Sequence, residues 1–185
     1  MTLVFFLEER SAQELLSTLL PKVLPPQVDF VCVPHEGKSD LRRRLHARLA
    51  AWNAPDCSFV VVHDQDHAEC LALKRSLEAL VPEVRRANTI IRIACRELES
   101  WILGDLDALG AAFEKPGLSD LQTKASYRTP DALGNPSQEL RRLLPAYSKV
   151  SGARRAAEHM EPDRNASHSF QVFMRAVRRL SEAQA

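Results

Sequence analysis

Carboxylates stand in three tight groups along the chain. Glu8-Glu9 follows the apolar run Leu3–Leu7, Asp64-Gln65-Asp66 follows Phe59–His63, and Glu97 and Glu99 follow Thr89–Ala94. Clustered carboxylates repel, and one must take up a proton unless a cation compensates. Hard oxygen donors of this kind suit Mg²⁺ or Mn²⁺. Two such ions about 4 Å apart can clamp the attacking and leaving oxygens of a phosphodiester. Asp64-x-Asp66 is the sharpest signal, because residues two apart point the same way if strand geometry continues past His63. The plainer reading is a polar turn capping a helix that starts near Ala68. Three acidic groups after three apolar runs favour the metal site. On that reading Glu8, Asp64 and Asp66 are ligands, and Glu97 and Glu99 hold a second ion or activate water. On one helix Glu97 and Glu99 point about 200° apart, so one of them reaches the metal. Glu97, nearer the strand, is the expected one, and Glu99 would otherwise pair with Arg96 or Arg92.

Cationic side chains accompany the acids. Lys38 follows His35-Glu36-Gly37 at a helix start, where backbone N–H groups favour anions. Gly37 permits a tight turn or a close phosphate, although the segment is no Walker A motif. Lys38, Arg96, Lys149 and Arg164 are the expected phosphate or nucleic-acid contacts, and Tyr147 stacks or simply packs. His63, His67 and Cys70 lie close together, but Cys70 falls mid-helix and no fourth soft ligand is suitably spaced, so zinc is not expected. Cys95 ends an apolar run and reads as packing. Ser11 sits in no GxSxG elbow. Trp101-Ile102-Leu103 reads as core or as a partner-facing patch.

The elements that must position these groups alternate. Leu3–Leu7, Val28–Val33, Phe59–His63 and Thr89–Ala94 have strand length and β-branched or aromatic content. Between them Ser11–Leu20, Lys38–Trp52 and Ala68–Leu80 have helical period, the first with a Ser11/Glu14 capping box. Arg42, Arg43, Arg44 and Arg48 interleave the leucines of the second helix. The order β-α-β-α-β-α-β argues for an α/β fold with a mostly parallel sheet of four or slightly more strands between helices. Function then gathers at the carboxyl ends of the strands. Glu97–Leu109 reads as one helix, Lys115–Pro136 as a loop rich in Pro and Gly, and Ser137–Leu144, Ser151–Met160 and Ser167–Ser181 as short helices. Residues 1–114 are therefore the expected core, and 115–185 a loop and C-terminal helical extension packed on it.

Composition sets the outer bounds. A chain of 185 residues, 45% hydrophobic and 26% charged, folds without staples. Lys+Arg total 25 against 24 for Asp+Glu, which disfavours a purely electrostatic nucleic-acid binder. Nine basic residues against three acids between Arg141 and Arg179 make one local exception. Cys32, Cys57, Cys70 and Cys95 form no CxxC pair and read as reduced thiols of a cytoplasmic protein. The N-terminus has no basic leader and only a five-residue apolar run, so neither a signal peptide nor a membrane span is expected.

An acid after the first strand and DxD after a later one, in an α/β sheet, resemble the Toprim fold of topoisomerases, primases and the overcoming-lysogenization-defect (OLD) nucleases. That family's strand ends in Glu-Gly. Here Phe6-Leu7-Glu8-Glu9 lacks the Gly, and Glu8 is preferred over Glu9 as the matching acid. A closer resemblance spans nearly the whole chain. Leu7-Glu8-Glu9-Arg10-Ser11, His35-Glu36-Gly37-Lys38, Val62-His63-Asp64-Gln65-Asp66, the block from Cys95 to Asp105, the block from Tyr147 to Ala153 and the block from Asn165 to Phe170 are together similar to a bacterial domain-of-unknown-function family. The resemblance implies a Toprim-like partner of an AAA or SMC-like ATPase in phage or plasmid defence. The expected function is a Mg²⁺- or Mn²⁺-dependent nuclease or related phosphoryl-transfer enzyme. The alternatives are a non-catalytic Toprim-fold adaptor of an ATPase complex and, more weakly, a small-molecule phosphohydrolase.

Overall fold

In the computed structural model, which describes residues 1–182, the four apolar runs become strands. They are β1 (Thr2–Leu7), β2 (Asp29–Pro34), β3 (Cys57–Asp64) and β4 (Thr89–Ala94). All neighbours pair in parallel, in the order β2-β1-β3-β4. The two central strands are apolar on both faces, as a sheet covered by helices on both sides requires. Register then sets the site. Leu7 lies beside Val62 and Pro34, and Asp64 beside Ala94, so the chain leaves β1, β3 and β4 along one sheet edge.

Strand alternation divides the core in two. Val4, Phe6, Phe59, Val61, Ile91 and Ile93 point toward Leu41, Leu45 and Leu49 of α2 (Lys38–Ala51) and Leu77 of α3 (Cys70–Glu78). Leu3, Phe5, Leu7, Val60 and Val62 point the other way. That face is covered by α1 (Arg10–Leu19), α4 (Glu99–Leu103), α5 (Leu106–Ala112), α8 (Lys149–His159) and α9 (His168–Glu182). Two shorter helices, α6 (Ala125–Arg128) and α7 (Pro136–Leu143), lie in the chain between α5 and α8. Trp101 of α4 is fully buried against Phe173 of α9, their ring centroids 4.9 Å apart, and Phe173 also meets Phe5 of β1.

Three local expectations change. The α1 N-cap is Glu9, and Ser11 donates to the Glu9 carboxylate at 2.9 Å instead of forming a capping box with Glu14. The segment Glu97–Leu109 is not one helix. It breaks at Gly104-Asp105, where the Asp105 side chain accepts from the Ala108 N–H and starts α5. The stretch rich in Pro and Gly holds short 3-10 turns at Pro116–Thr123 and Pro130–Ala132, with α6 between them. The α/β class, the four-stranded parallel sheet and the C-terminal helices agree with expectation.

Candidate metal centre

The acids after β1 leave the sheet in opposite directions. Glu8 continues the alternation of Val4 and Phe6, so it emerges on the α2/α3 side, and Glu9 emerges on the α8 side. Glu8 Oε2 accepts from the Asp64 N–H at 3.2 Å and lies 3.4 Å from His63 Nδ1. Glu9 is ion-paired with Lys149 Nζ at 2.5 Å. Asp64 continues the alternation of Val60 and Val62, which puts it on the side of α4, near enough to both Glu8 and Glu99 to feel their charge.

Asp66 does not share that direction. Strand β3 ends at Asp64, and Asp66 adopts a left-handed backbone with φ 51°, its N–H donating to the Arg96 carbonyl at 2.7 Å. Its carboxylate turns to Lys38 Nζ at 2.7 Å. Arg96 is also left-handed, with φ 63°, and its N–H donates to Gln65 Oε1. This conformation is uncommon for non-glycine residues, and here two of them stand on turns that hydrogen-bond to each other. Gly37, with φ 89°, ties the turn after β2 to the same edge, its N–H donating to the Glu8 carbonyl at 2.9 Å.

The residues after β4 fall otherwise than helical geometry from Glu97 implied. Helix α4 begins at Glu99, so Glu97 precedes it. The Glu97 carboxylate accepts from the Ser137 N–H at 2.7 Å and holds the start of α7. Glu99 points inward instead. It is 2% exposed, its nearest cation is Lys149 at 3.9 Å, and its Oε2 is buried with no hydrogen-bond partner. Of the two acids expected after β4, Glu99 is thus the one turned toward Lys149 and the interior, and Glu9, which was not among the expected ligands, lies on the same side. Strand alternation is the signal that separates Glu8 from Glu9, and the true start of α4 is the one that separates Glu99 from Glu97.

Burial and like charge act together here. Burial pushes the Asp64 carboxyl well up, Glu8 and Glu99 add to the rise, and the Leu98 N–H opposes it. Burial raises Glu99 too, against the pull of Lys149. Burial also raises Glu8, against His63 and the Asp64 N–H. For Lys149 burial favours the neutral form, but the hydrogen bond to Glu9 and the charges of Glu99 and Asp64 outweigh it, and its pKa rises. Tyr147 is raised by burial and by the charges of Glu99 and Glu9. Its ring also packs on Gly152, where an added Cβ would lie 2.5 Å from the ring carbons, so the start of α8 and Lys149 are fixed together.

The chemistry of these donors is that of a hard-cation site, although among the described residues no three His, Cys, Asp or Glu side chains converge closely enough to form one. The cluster offers carboxylate oxygens only, more negative charge than its lysines offset, and one orphaned buried oxygen on Glu99. Arg164 lies elsewhere. Its guanidinium clamps Asp105, which is 1% exposed, through Nε–Oδ1 at 3.0 Å and Nη2–Oδ2 at 3.1 Å. That pairing commits Arg164 to holding the α4–α5 break.

A family model described as Domain of unknown function (DUF4276) matches residues 7–178. Among curated proteins nothing matches the chain. Among solved structures the chain is similar to the C-terminal region of the Burkholderia pseudomallei OLD protein, with a TM-score of 0.59. That likeness covers 99% of this chain and 98% of the other at 16% sequence identity. At such identity the likeness is one of fold, and it agrees with the Toprim-like, OLD-related architecture expected from the sequence.

Proposed function

The chain belongs to the DUF4276 family, and from that footing we propose that it is a divalent-metal-dependent, nuclease-like phosphoryl-transfer enzyme acting on nucleic acid. The observation that carries the reading is the buried Glu99 carboxylate. It lies within reach of the charges of Glu97, Glu9 and Asp64, and one of its oxygens is satisfied by no protein group. A buried like-charged cluster is costly unless protonated or compensated. Glu9, Asp64 and Glu99 are the residues that would hold Mg²⁺ or Mn²⁺, with Glu8 bordering Asp64 from the other side, while Asp66 is turned away to Lys38. Such an ion, when bound, supplies neutralisation of phosphoryl charge and a water acidic enough to attack. The chain's own residues prepare this. Lys149 holds Glu9, and Lys38 holds Asp66 on the opposite flank. The Leu98 N–H steadies Asp64 in its charged form. Glu97, engaged by Ser137, shapes the wall beside the cluster.

The partner class proposed is an AAA or SMC-like ATPase, with a role in defence. Support comes from the sequence resemblance and from a structural relative that is itself described as the C-terminal region of a protein. No helix among the described residues is long and apolar enough to cross a membrane.

A second reading is a non-catalytic adaptor of such an ATPase. It is favoured by one observation: among the described residues no three His, Cys, Asp or Glu side chains converge as a ready-made metal group. Calorimetric titration of Mn²⁺ into wild type, Asp64→Asn and Glu99→Gln separates the two, run beside cleavage of labelled DNA and RNA. The nuclease reading expects binding in wild type, weakened at least about 100-fold in the variants, with cleavage lost in step. Cleavage unchanged by both variants sinks it. Absence of Mn²⁺ binding and cleavage, with retained capture of the ATPase, establishes the adaptor.

A further inference from the structure

Helix α2 carries five basic residues, Lys38, Arg42, Arg43, Arg44 and Arg48, against one acid, Asp40. Its leucines at 41, 45 and 49 are buried under the sheet, so the basic residues occupy its solvent perimeter. Lys38, Arg43 and Arg44 have side chains 57%, 71% and 52% exposed. Asp40 does not cancel this charge. Its Oδ1 accepts from Arg43 at 2.6 Å and from Arg44 at 2.7 Å, one carboxylate fixing two guanidiniums. Burial would raise Asp40, but Arg44, the Glu36 N–H and Arg43 hold it at about 2.

The ridge leads into the acid cluster. Lys38, Arg42 and His46 succeed one another at four-residue spacing, about 6 Å apart along the axis, on the rim facing α3. Arg42 Nη1 donates to Ser76 of α3 at 3.1 Å, and His46 Nδ1 lies 3.2 Å from the Leu80 carbonyl. Between the two helices runs a cleft of about 290 Å³. It is lined by Lys38, Arg42 and His67 along with His63, Asp64 and Asp66 at its inner end. His63 is 3% exposed and its Nε2 has no partner. Asp66, paired with Lys38, is the carboxylate on the cleft's own flank, and Asp64 borders the cleft from the sheet edge.

The basic excess between Arg141 and Arg179 differs. Arg142 pairs with Glu139, Arg154 with Glu158, Arg164 with Asp105 and Arg178 with Asp163. Arg155 donates to the Ala112 carbonyl and stacks over Phe113. With Lys149 held by Glu9, six of those nine cations are engaged within the fold, whereas α2 sets five basic residues against Asp40 and, at Lys38, Asp66 along a single helix.

We propose that the outer face of α2 and the α2/α3 cleft bind the sugar–phosphate backbone of a nucleic-acid strand and deliver it to the acids. The inference rests on the proposed function for its substrate class, and it adds the surface that binds that substrate. Lys38 and Arg42 line the cleft one helical turn apart with Arg43 and Arg44 exposed beside them, a grouping of cations that suits a polyanion, and such binding is salt-dependent.

Fluorescence anisotropy with fluorescein-labelled single-stranded and duplex oligonucleotides, in EDTA so that nothing is cleaved, tests this on the full chain. Arg42→Glu is expected to weaken binding about ten-fold near 0.1 M salt and to lower the salt slope by about one. Arg42→Lys retains binding and Arg42→Gln falls between. Arg154→Glu, on α8, leaves it unchanged, and matching thermal melts show the variants folded. Equal affinity of Arg42→Glu and wild type overturns the proposal, as does equal weakening by Arg154→Glu or an absence of binding to any oligonucleotide. Displacement by polyglutamate as readily as by oligonucleotide also overturns it and assigns the ridge to an acidic protein. The measurement needs no metal, so loss of the nuclease reading and loss of this surface are separate results.

Discussion

Asp64 and Asp66 stand two residues apart and end on opposite flanks of the sheet edge, one near Glu99 and the other paired with Lys38. The sequence displays both acids but not their separation, because the left-handed turn at Asp66 carries no glycine to announce it. The choices of Glu9 beside Glu8 and of Glu99 over Glu97 were hidden for a similar reason. The first depends on one residue of strand register and the second on where α4 starts, neither of which a run of acids encodes. The cluster's electrostatics have a measurable consequence. Asp64, Glu8 and Glu99 all have pKa values raised by burial, so the folded, metal-free protein holds protons that the unfolded chain has released. Their contribution to stability is full below the usual carboxylate range, near 4, and is lost as pH rises through their raised values. His35, lowered by burial, works in the opposite sense below about 6.5, so the informative quantity is a difference between proteins. Asp64→Asn removes one charge and keeps an acceptor for the Leu98 N–H. It is expected to melt a few degrees above wild type at pH 7.5 in EDTA and to match it more closely at pH 5. Thermal melts across that range check this, and a wild-type excess that grows with pH contradicts it.

At the scale of elements, the strands were legible because fully buried parallel strands read as continuous apolar runs, and Thr89–Ala94 has the expected bounds. The break between α4 and α5 was not, because Gly104 and Asp105 act through a partner sixty residues away. Asn165 donates to the Trp101 carbonyl at 2.7 Å and accepts from the Ser167 N–H at 2.9 Å. It lies so close to Gly104 that a Cβ there would stand 2.0 Å from its Oδ1. The Ala166 N–H donates to the Gly104 carbonyl, and the Trp101 indole donates to Ser169. Two motifs distant in sequence therefore form one latch, which sets where α4 ends and holds Trp101 in place. Asn165→Ala leaves buried backbone groups unsatisfied and is expected to cost about 2–3 kcal/mol. Gly104→Ala is expected to cost at least as much through overpacking. The double variant should cost less than the sum by about 1 kcal/mol, because removing the Asn165 amide makes room for the new methyl. Urea unfolding of the four proteins measures the coupling, and strict additivity would show that the two residues act separately.

At the scale of the whole molecule, the order of elements suggested a core over residues 1–114 with an extension over 115–185 packed on it. The packing makes the extension part of the core's own interior. Leu3, Phe5 and Leu7 of β1 share one apolar cluster with Ala153 and Ala157 of α8 and with Phe170, Phe173 and Met174 of α9. Trp101 is sandwiched in the same place, 5.5 Å from Phe170 and 4.9 Å from Phe173 between ring centroids. Lys149, which offsets the charge of Glu9, also arrives on the extension. A fragment of residues 1–114 would uncover the part of that sheet face and of α1 on which α8 and α9 pack, and parallel sheets need both faces covered. It is therefore expected not to fold alone. The full chain should unfold in one cooperative step in which Trp101 fluorescence, read in a Trp52→Phe background, and far-UV circular dichroism change together. Two separated transitions, or a 1–114 fragment with a native melt, would instead make the extension a separate unit that docks on a finished core.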